Sequence, residues 1–266
     1  MMHTTSLTDS GAKRILDLFF SLRTGVMIQD VKSGQVAVAT CDRTTYAELG
    51  YGYTRVLWML HCGDRAVISV HPAALAQMSQ LVWRFSPDTV LEEDFWTKAM
   101  VIMTECIRGP LHQHDLSIKL YHPGGVELLT TEGAIRPVTT TDKFTWPGTR
   151  LYWSAGDYPS AQRGECFGIF LGDVLVGDIA THDAPVAEMA ELVAEDGIEV
   201  AEEYRGRGFG KALLAHWTYE MQRRGRACLH GTCVGNVASV EVARAVGYLE
   251  YAKHRAISYS LPDSVE

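Results

Sequence analysis

The spacing of apolar residues alternates between helical and strand periods, and both halves of the chain contain both kinds of spacing. In the first half, apolar positions three or four residues apart predict helices over 12–23, 73–85 and 92–107. Short apolar or alternating runs predict strands over 35–40, 65–70 and 116–121. The first half is therefore predicted to be a mixed α/β region, and no motif in it indicates a chemistry.

The second half opens with a strong hairpin pattern. Two β-rich runs, 165–171 and 174–180, are separated only by Gly172 and Asp173. A two-residue loop with glycine first favours a type II′ turn, because that turn needs a positive φ at its first central position. The pattern predicts two adjacent antiparallel strands.

A crossover pattern follows the hairpin. An apolar strand ends near Val200, and a helix begins near Gly208 with its apolar residues on one face. A further strand is predicted over 227–234, and Asn236 is a suitable cap for a helix over 237–246. A helix between two strands of one sheet predicts a parallel crossover unit.

The turn between Val200 and the following helix is rich in glycine and in basic residues. A helix N-terminus preceded by glycines presents free backbone N–H groups, which bind anions such as phosphate. The glycines permit close backbone approach, and the basic side chains add positive charge. The turn contains Arg205, Gly206, Arg207, Gly208, Gly210 and Lys211. The alternative is an ordinary tight turn with solvated arginines.

Glycine spacing in this turn argues against the common nucleotide motifs. A dinucleotide fingerprint needs its third glycine one residue later, and a phosphate-binding loop of the Walker type needs Ser or Thr where Ala212 stands. The spacing that remains is Arg-x-x-Gly-x-Gly, formed by Arg205, Gly208 and Gly210.

This loop resembles the coenzyme A pyrophosphate loop of the GNAT superfamily of acetyl-CoA-dependent N-acetyltransferases. A second stretch, which runs from Asn236 through Ser239 to Gly247 and Tyr248, is similar to the family's second signature. The resemblance covers roughly the C-terminal half. It implies a mixed α/β fold for that half, with a central mixed, splayed sheet flanked by helices. The first half is predicted to be a smaller α/β domain that precedes it.

The resemblance also implies the residues that would hold acetyl-CoA. The strand ending at Val200 would pair with the pantetheine arm and offer a backbone N–H to the thioester oxygen. Asn236 would face the cofactor, although a plain helix cap is an equally good interpretation. The predicted binding set is Val200, Arg205, Gly206, Arg207, Gly208, Phe209, Gly210, Lys211, Asn236 and Ser239.

Catalysis by such a domain needs a base for the amine and an acid for the leaving thiolate. Glu199, on the predicted cofactor strand, is the candidate base. Ala243 stands where many family members carry a tyrosine that acts as the general acid. Tyr248 is the candidate acid in its place, and the alternatives are Tyr251, Cys233 and water.

Composition restricts the remaining classes. The net charge of −8 disfavours nucleic-acid binding, and no apolar run is long enough to span a membrane. Six cysteines without a CxxC pair indicate a reduced, cytoplasmic protein. His112 and His114 are a weak metal candidate, so no metal is predicted. Arg223, Arg224 and Arg226 are interpreted as a charged helix face.

The predicted organisation is an α/β domain over 1–130 and a GNAT-like domain over 131–266. The leading hypothesis is an N-acetyltransferase that acetylates a primary amine of a small molecule bound between the two halves, in a monomer or homodimer. One alternative acceptor is a protein or peptide amine. Another alternative is a non-catalytic acyl-CoA-binding regulatory module, which the missing tyrosine motivates.

Overall fold

A computed structural model of the chain describes residues 8–41, 53–139, 142, 159–182 and 187–260. The chain divides into two compact units that interleave along the sequence. Unit 1 comprises Met1–Lys13, Leu120–Gly231 and Asn236–Leu249, and unit 2 comprises Arg14–Lys119, Thr232–Gly235 and Glu250–Glu266. The boundary near residue 130 stays a prediction, and residues 140, 141 and 143–158 beyond it lie outside the described residues.

Unit 2 is a small mixed sheet with helices. Its strands are β1 (Val36–Ala39), β2 (Tyr53–Cys62), β3 (Arg65–Val70), β4 (Leu111–Gln113) and most of β11 (Leu249–Ser260). They pair in the order β1-β3-β2-β11, with β1 and β3 parallel, and β4 pairs with β11. Its helices are most of α1 (Asp9–Thr24), α2 (Leu75–Val82) and α3 (Glu93–Cys106).

The core of unit 2 lies between α2, α3 and one face of the sheet. Met78, Phe95 and Trp96 are fully buried there against Met59 and Ile68. Residues 53–62 form strand β2, in which every residue over 56–60 is buried and apolar. Such a run gives no periodic signal that separates strand from helix.

Unit 1 contains the hairpin and the crossover. Its strands are β6 (Ala134–Pro137), β7 (Cys166–Leu171), β8 (Val174–Thr181), β9 (Val193–Val200) and most of β10 (Ala227–Cys233). Its helices are α4 (Pro159–Gln162), α5 (Ala187–Leu192), α6 (Phe209–Arg223) and α7 (Val237–Val246). Strand β5 (Ser117–Tyr121) runs through the residue at which the two units divide.

The strands of unit 1 pair in the order β6-β7-β8-β9-β10. The pairs are antiparallel up to β9, and β9 and β10 are parallel, as the crossover pattern predicts. Gly172 has φ 60°, whereas no non-glycine among the described residues has a positive φ. The Gly172-Asp173 turn therefore has the backbone signs of type II′.

Helix α6 fixes the position of the crossover. It packs against β7, β8, β9 and α7. Phe209, Leu213, Trp217 and Met221 are buried along one face, as their spacing predicts. The indole Nε1 of Trp217 donates a hydrogen bond to Thr181 Oγ1 at 3.0 Å, which satisfies its polar atom inside the core. The mixed α/β fold class is confirmed.

Candidate active site

Strands β9 and β10 separate part-way along their length. Their parallel pairing runs from Val193 with Ala227 to Asp196 with His230 and does not continue to the end of either strand. The antiparallel pairing of β9 with β8 continues as far as Val200. Among the strands described, none pairs with the second edge of β9 from Gly197 to Val200, which is the splay that the family resemblance implies.

The free edge of β9 presents backbone donors. Residues alternate their backbone groups between the two edges of a strand. The Glu195 carbonyl and the Ala201 N–H bond toward the β8 side. Ile198 and Val200, which have the opposite parity, direct their N–H groups to the free edge. Two donors on a rigid strand are suited to a carbonyl that becomes negatively charged.

A cavity of about 700 Å³ lies beside this edge. It extends from β9 across the glycine-rich turn to the first turns of α7. Its lining is Ile198, Glu199, Val200, Tyr204, Arg205, Gly206, Gly208, Phe209, Gly210, Lys211, Asn236, Ala238, Ser239 and Val242. Nine of the ten predicted binding residues therefore line a single cavity, and Arg207 is the exception.

The glycine-rich turn is built to bring backbone close to a ligand. Gly206 and Gly208 have φ 77° and 83°, a conformation that strains any residue with a Cβ. A Cβ built on either glycine meets no atom within 4 Å, so both positions face open space. Gly208 is the N-cap of α6, whose first N–H groups and dipole favour an anion. This geometry fits a pyrophosphate.

The basic residues of the turn have different roles. Arg205 Nε donates to the Val200 carbonyl at 3.0 Å and so ties the turn to the end of β9. Lys211 lines the cavity. Arg207 bonds Glu132 through two nitrogens, and its guanidinium lies 4.9 Å from the Phe209 ring centroid. Arg207 is therefore placed as a structural contact of the turn.

Asn236 is the N-cap of α7, which is the helix-cap interpretation of this residue. Its side-chain oxygen accepts the Ser239 N–H at 3.3 Å. Both residues also line the cavity. The two roles are compatible, and contact between Asn236 and the cofactor stays a prediction.

A pair of carboxylates lies at the cavity end of β8 and β9. Asp178 stands directly opposite Glu199 in the antiparallel register, and Glu199 lines the cavity. Burial, followed by the nearby Glu199 charge, raises the pKa of Asp178 to about 7. Asp178 therefore retains its proton up to about neutral pH, beside the Glu199 carboxyl group. Sequence reasoning missed Asp178, although an ionisable residue within the apolar run of β8 was a usable signal.

Tyr248, the candidate acid, lies away from the cavity lining. It is 2% exposed, and its hydroxyl is 2.6 Å from Thr218 Oγ1. Burial is the main cause that raises its pKa well above the usual value, with the nearby Cys228 and Asp196 contributing. Ala243 is also buried.

The arginines after α6 differ from the expected charged helix face. Arg226 is 9% exposed, and its Nη1 lies 2.6 Å from Glu165 Oε1. Arg224 and Arg163 also contact Glu165, which is itself buried. Only Arg223, which pairs with Glu220, fits the expectation. Arg224 and Arg226 therefore connect the end of α6 to Glu165, the residue before β7.

No group of three metal-binding side chains occurs within the described part of the chain. His114 Nε2 instead lies 2.7 Å from Ser258 Oγ, with the His112 ring beside it.

Among the helices described, none is both long and apolar enough to cross a membrane.

Residues 134–248 match the sequence model of the acetyltransferase (GNAT) family. They contain the splayed strands, the glycine-rich turn and both signatures. Residues 134–248 are a GNAT acetyltransferase domain. Acetyl-CoA is the acyl donor that this family uses, so the predicted family, donor and acetyltransferase class are confirmed.

Several solved structures resemble the chain at low identity. An acetyltransferase from the GNAT family of Colwellia psychrerythraea is 16% identical, with a TM-score of 0.44 over 73% of this chain and 76% of that one. A Drosophila protein is 14% identical, with a TM-score of 0.46 over 96% and 98%. A Salmonella typhimurium protein with its cofactor acetyl-CoA is 16% identical, with a TM-score of 0.31 over 38% and 66%. No curated protein matches the chain.

Proposed function

We propose that the GNAT domain transfers an acetyl group from acetyl-CoA to a primary amine of a small molecule. The observation that carries the proposal is the cavity at the splay of β9 and β10, where the free strand edge and the glycine-rich turn meet. The turn supplies an anion site and the edge supplies two N–H donors. A thioester cofactor with a pyrophosphate needs these two features at opposite ends of one cavity.

The assignment of roles follows the cavity from end to end. The N–H groups at Gly206, Gly208 and the start of α6 bind the pyrophosphate, with Lys211 adding charge. The N–H groups of Ile198 and Val200 bind the pantetheine arm and the thioester oxygen. Acetyl-CoA supplies the activated acyl carbon, and the strand edge holds that carbon in place for the amine.

The carboxylate pair is the proposed proton acceptor. With Asp178 protonated, the Glu199 carboxylate is left to take a proton from the substrate ammonium before attack, or from the amine nitrogen as it attacks, directly or through water. Glu199 rather than Asp178 lines the cavity, which makes Glu199 the catalytic residue and Asp178 its positioning partner.

Ligand-dependent thermal unfolding tests the donor site first. A ligand that binds only the native state raises the unfolding temperature by mass action. Acetyl-CoA and coenzyme A should raise it, whereas NADH should not, because NADH carries a pyrophosphate without a pantetheine arm. Equal shifts with all three ligands would reduce the site to a general pyrophosphate binder, and no shift with any would refute the donor assignment.

A panel of acceptors then tests the reaction. Release of the coenzyme A thiol is measured with polyamines, aminoglycosides, amino acids and lysine-containing or free N-terminal peptides. Turnover with one small amine and none with peptides supports the proposal, and the reverse identifies a peptide acetyltransferase. Binding of acetyl-CoA that survives Glu199→Gln, without transfer to any acceptor, would identify a non-catalytic module.

A further inference from the structure

A hydrogen-bonded chain of three side chains runs from the core of unit 1 to the cavity. His230 Nδ1 lies 2.9 and 3.0 Å from the two carboxylate oxygens of Asp196. On the other side of the ring, His230 Nε2 lies 2.8 Å from Ser239 Oγ. Asp196 and His230 stand opposite each other at the last pair of the β9–β10 ladder, and Ser239 is in the first turn of α7.

The arrangement defines the tautomer of His230. An ionised carboxylate only accepts hydrogen bonds, so Nδ1 carries the hydrogen that Asp196 accepts. In the neutral ring, Nε2 is then an acceptor, and Ser239 donates its hydroxyl hydrogen to it. A serine that donates to an imidazole held by a buried aspartate has the geometry of an activated nucleophile.

Burial decreases from Asp196 and His230 to Ser239, and a reactive serine needs this order because its hydroxyl must reach the substrate. The Asp196 side chain is fully buried and that of His230 is 3% exposed, so water does not compete for their hydrogen bond. Ser239 is partly exposed and lines the cavity. The N–H donors of Ile198 and Val200 line the same cavity and can stabilise an oxyanion.

Two further titratable groups near His230, Tyr248 and Cys228, are buried. The Tyr248 ring centroid lies 6.3 Å from that of His230, and burial raises the pKa of Tyr248 well above the usual range. Cys228, on the same strand as His230, is fully buried, which raises the pKa of its thiol above the usual range. The Asp196 carboxyl group, at hydrogen-bond distance from His230 Nδ1, is placed to stabilise an imidazolium.

We propose that Ser239, His230 and Asp196 form a nucleophilic triad that accepts an acetyl group, so that the domain hydrolyses acetyl esters and thioesters when no amine is bound. Ser239 Oγ attacks the acetyl carbon while His230 Nε2 takes its proton. The carbon–sulfur bond then breaks, the electron pair leaves with sulfur, and His230 protonates the thiolate. Water next attacks the acetyl-serine with His230 as base, acetate leaves, and Ser239 regains its proton. For the thioester, this inference rests on the proposed donor site.

Two donors separate the triad from the cofactor site. Acetyl-CoA reports on both together, whereas p-nitrophenyl acetate reacts with an activated serine without any pyrophosphate contact. The wild-type chain is incubated with each donor in the absence of amines. Intact-mass spectrometry then detects one added acetyl group, and peptide mapping places it on Ser239. Release of thiol or of p-nitrophenolate gives the rate.

Four variants complete the experiment. Ser239→Ala should abolish the adduct, whereas Ser239→Cys should restore a stable acetyl adduct as a thioester. His230→Gln should slow acylation by roughly 10³-fold with unchanged affinity for coenzyme A, because it removes only the base. Ser258→Ala is the matched control, since that hydroxyl also bonds a histidine, His114, but does not line the cavity.

The outcomes separate the two proposals. An adduct on Ser239 that depends on His230 supports the triad. If coenzyme A binds, but neither donor gives an adduct and neither donor is hydrolysed in a Ser239-dependent way, the triad is overturned and the proposed function stays intact. Reaction with p-nitrophenyl acetate but no coenzyme A binding would support the triad and refute the donor site. An adduct that persists in Ser239→Ala would also overturn the inference.

Discussion

The carboxylate pair on β8 and β9 gives the most direct test of the site's electrostatics. Asp178 lies opposite Glu199, and burial and that neighbour together raise its pKa from 3.8 to about 7. In the unfolded chain Asp178 has neither burial nor a fixed neighbour. Asp178→Asn replaces the protonated carboxyl with a neutral group of nearly the same shape.

The sign follows from proton binding. Between pH 4 and pH 7 the unfolded chain has lost the Asp178 proton while the folded chain still holds it, so wild-type stability falls as pH rises through this window. A shift of about three pKa units corresponds to a loss of at most about 4 kcal/mol above pH 7. The amide introduced by Asp178→Asn does not titrate. We therefore compare the free energy of unfolding of Asp178→Asn with that of wild type. The variant's value minus the wild-type value should be about 2–3 kcal/mol larger at pH 8 than at pH 5.

Urea unfolding followed by tryptophan fluorescence at both pH values measures this difference. Asp173→Asn is the control, because Asp173 is exposed in the turn of the same hairpin. The control should show no such change in relative stability. If Asp178→Asn differs from wild type by the same free energy at pH 5 and pH 8, the raised pKa of Asp178 is refuted, and with it the positioning role assigned to Asp178.

Three further substitutions test the frame of the site. Gly208→Val should lower acetyl-CoA affinity at least about tenfold in calorimetric titration, whereas Gly172→Val, with the same backbone strain in a distant turn, should leave affinity unchanged. Asn236→Ala should cost about 1 kcal/mol in urea unfolding through loss of the cap, and unchanged donor affinity would assign Asn236 to capping alone. Glu165→Gln should cost about 3 kcal/mol, because Arg226 stays buried without its carboxylate; an unchanged unfolding midpoint would contradict that ion pair.

The sequence determined the parts of this protein whose physics is local. The Gly172-Asp173 dipeptide specifies its turn because glycine tolerates the positive φ that the turn needs. The face of α6 is readable because burial repeats with the helical period. The glycines before α6 and the cap at Asn236 act within a few residues, so their spacing predicts them.

Tertiary structure decided the features that depend on partners far apart in the chain. Strand register brings Asp178 opposite Glu199 and His230 opposite Asp196. The position of α7 in the fold brings Ser239 to His230. In the sequence, each of these residues is recognisable only as a polar residue in or beside an apolar run. The role of such a residue depends on the neighbouring charges and the burial that the fold provides. Residues that pair across a sheet are far apart in the sequence, so no short segment specifies which of them meet.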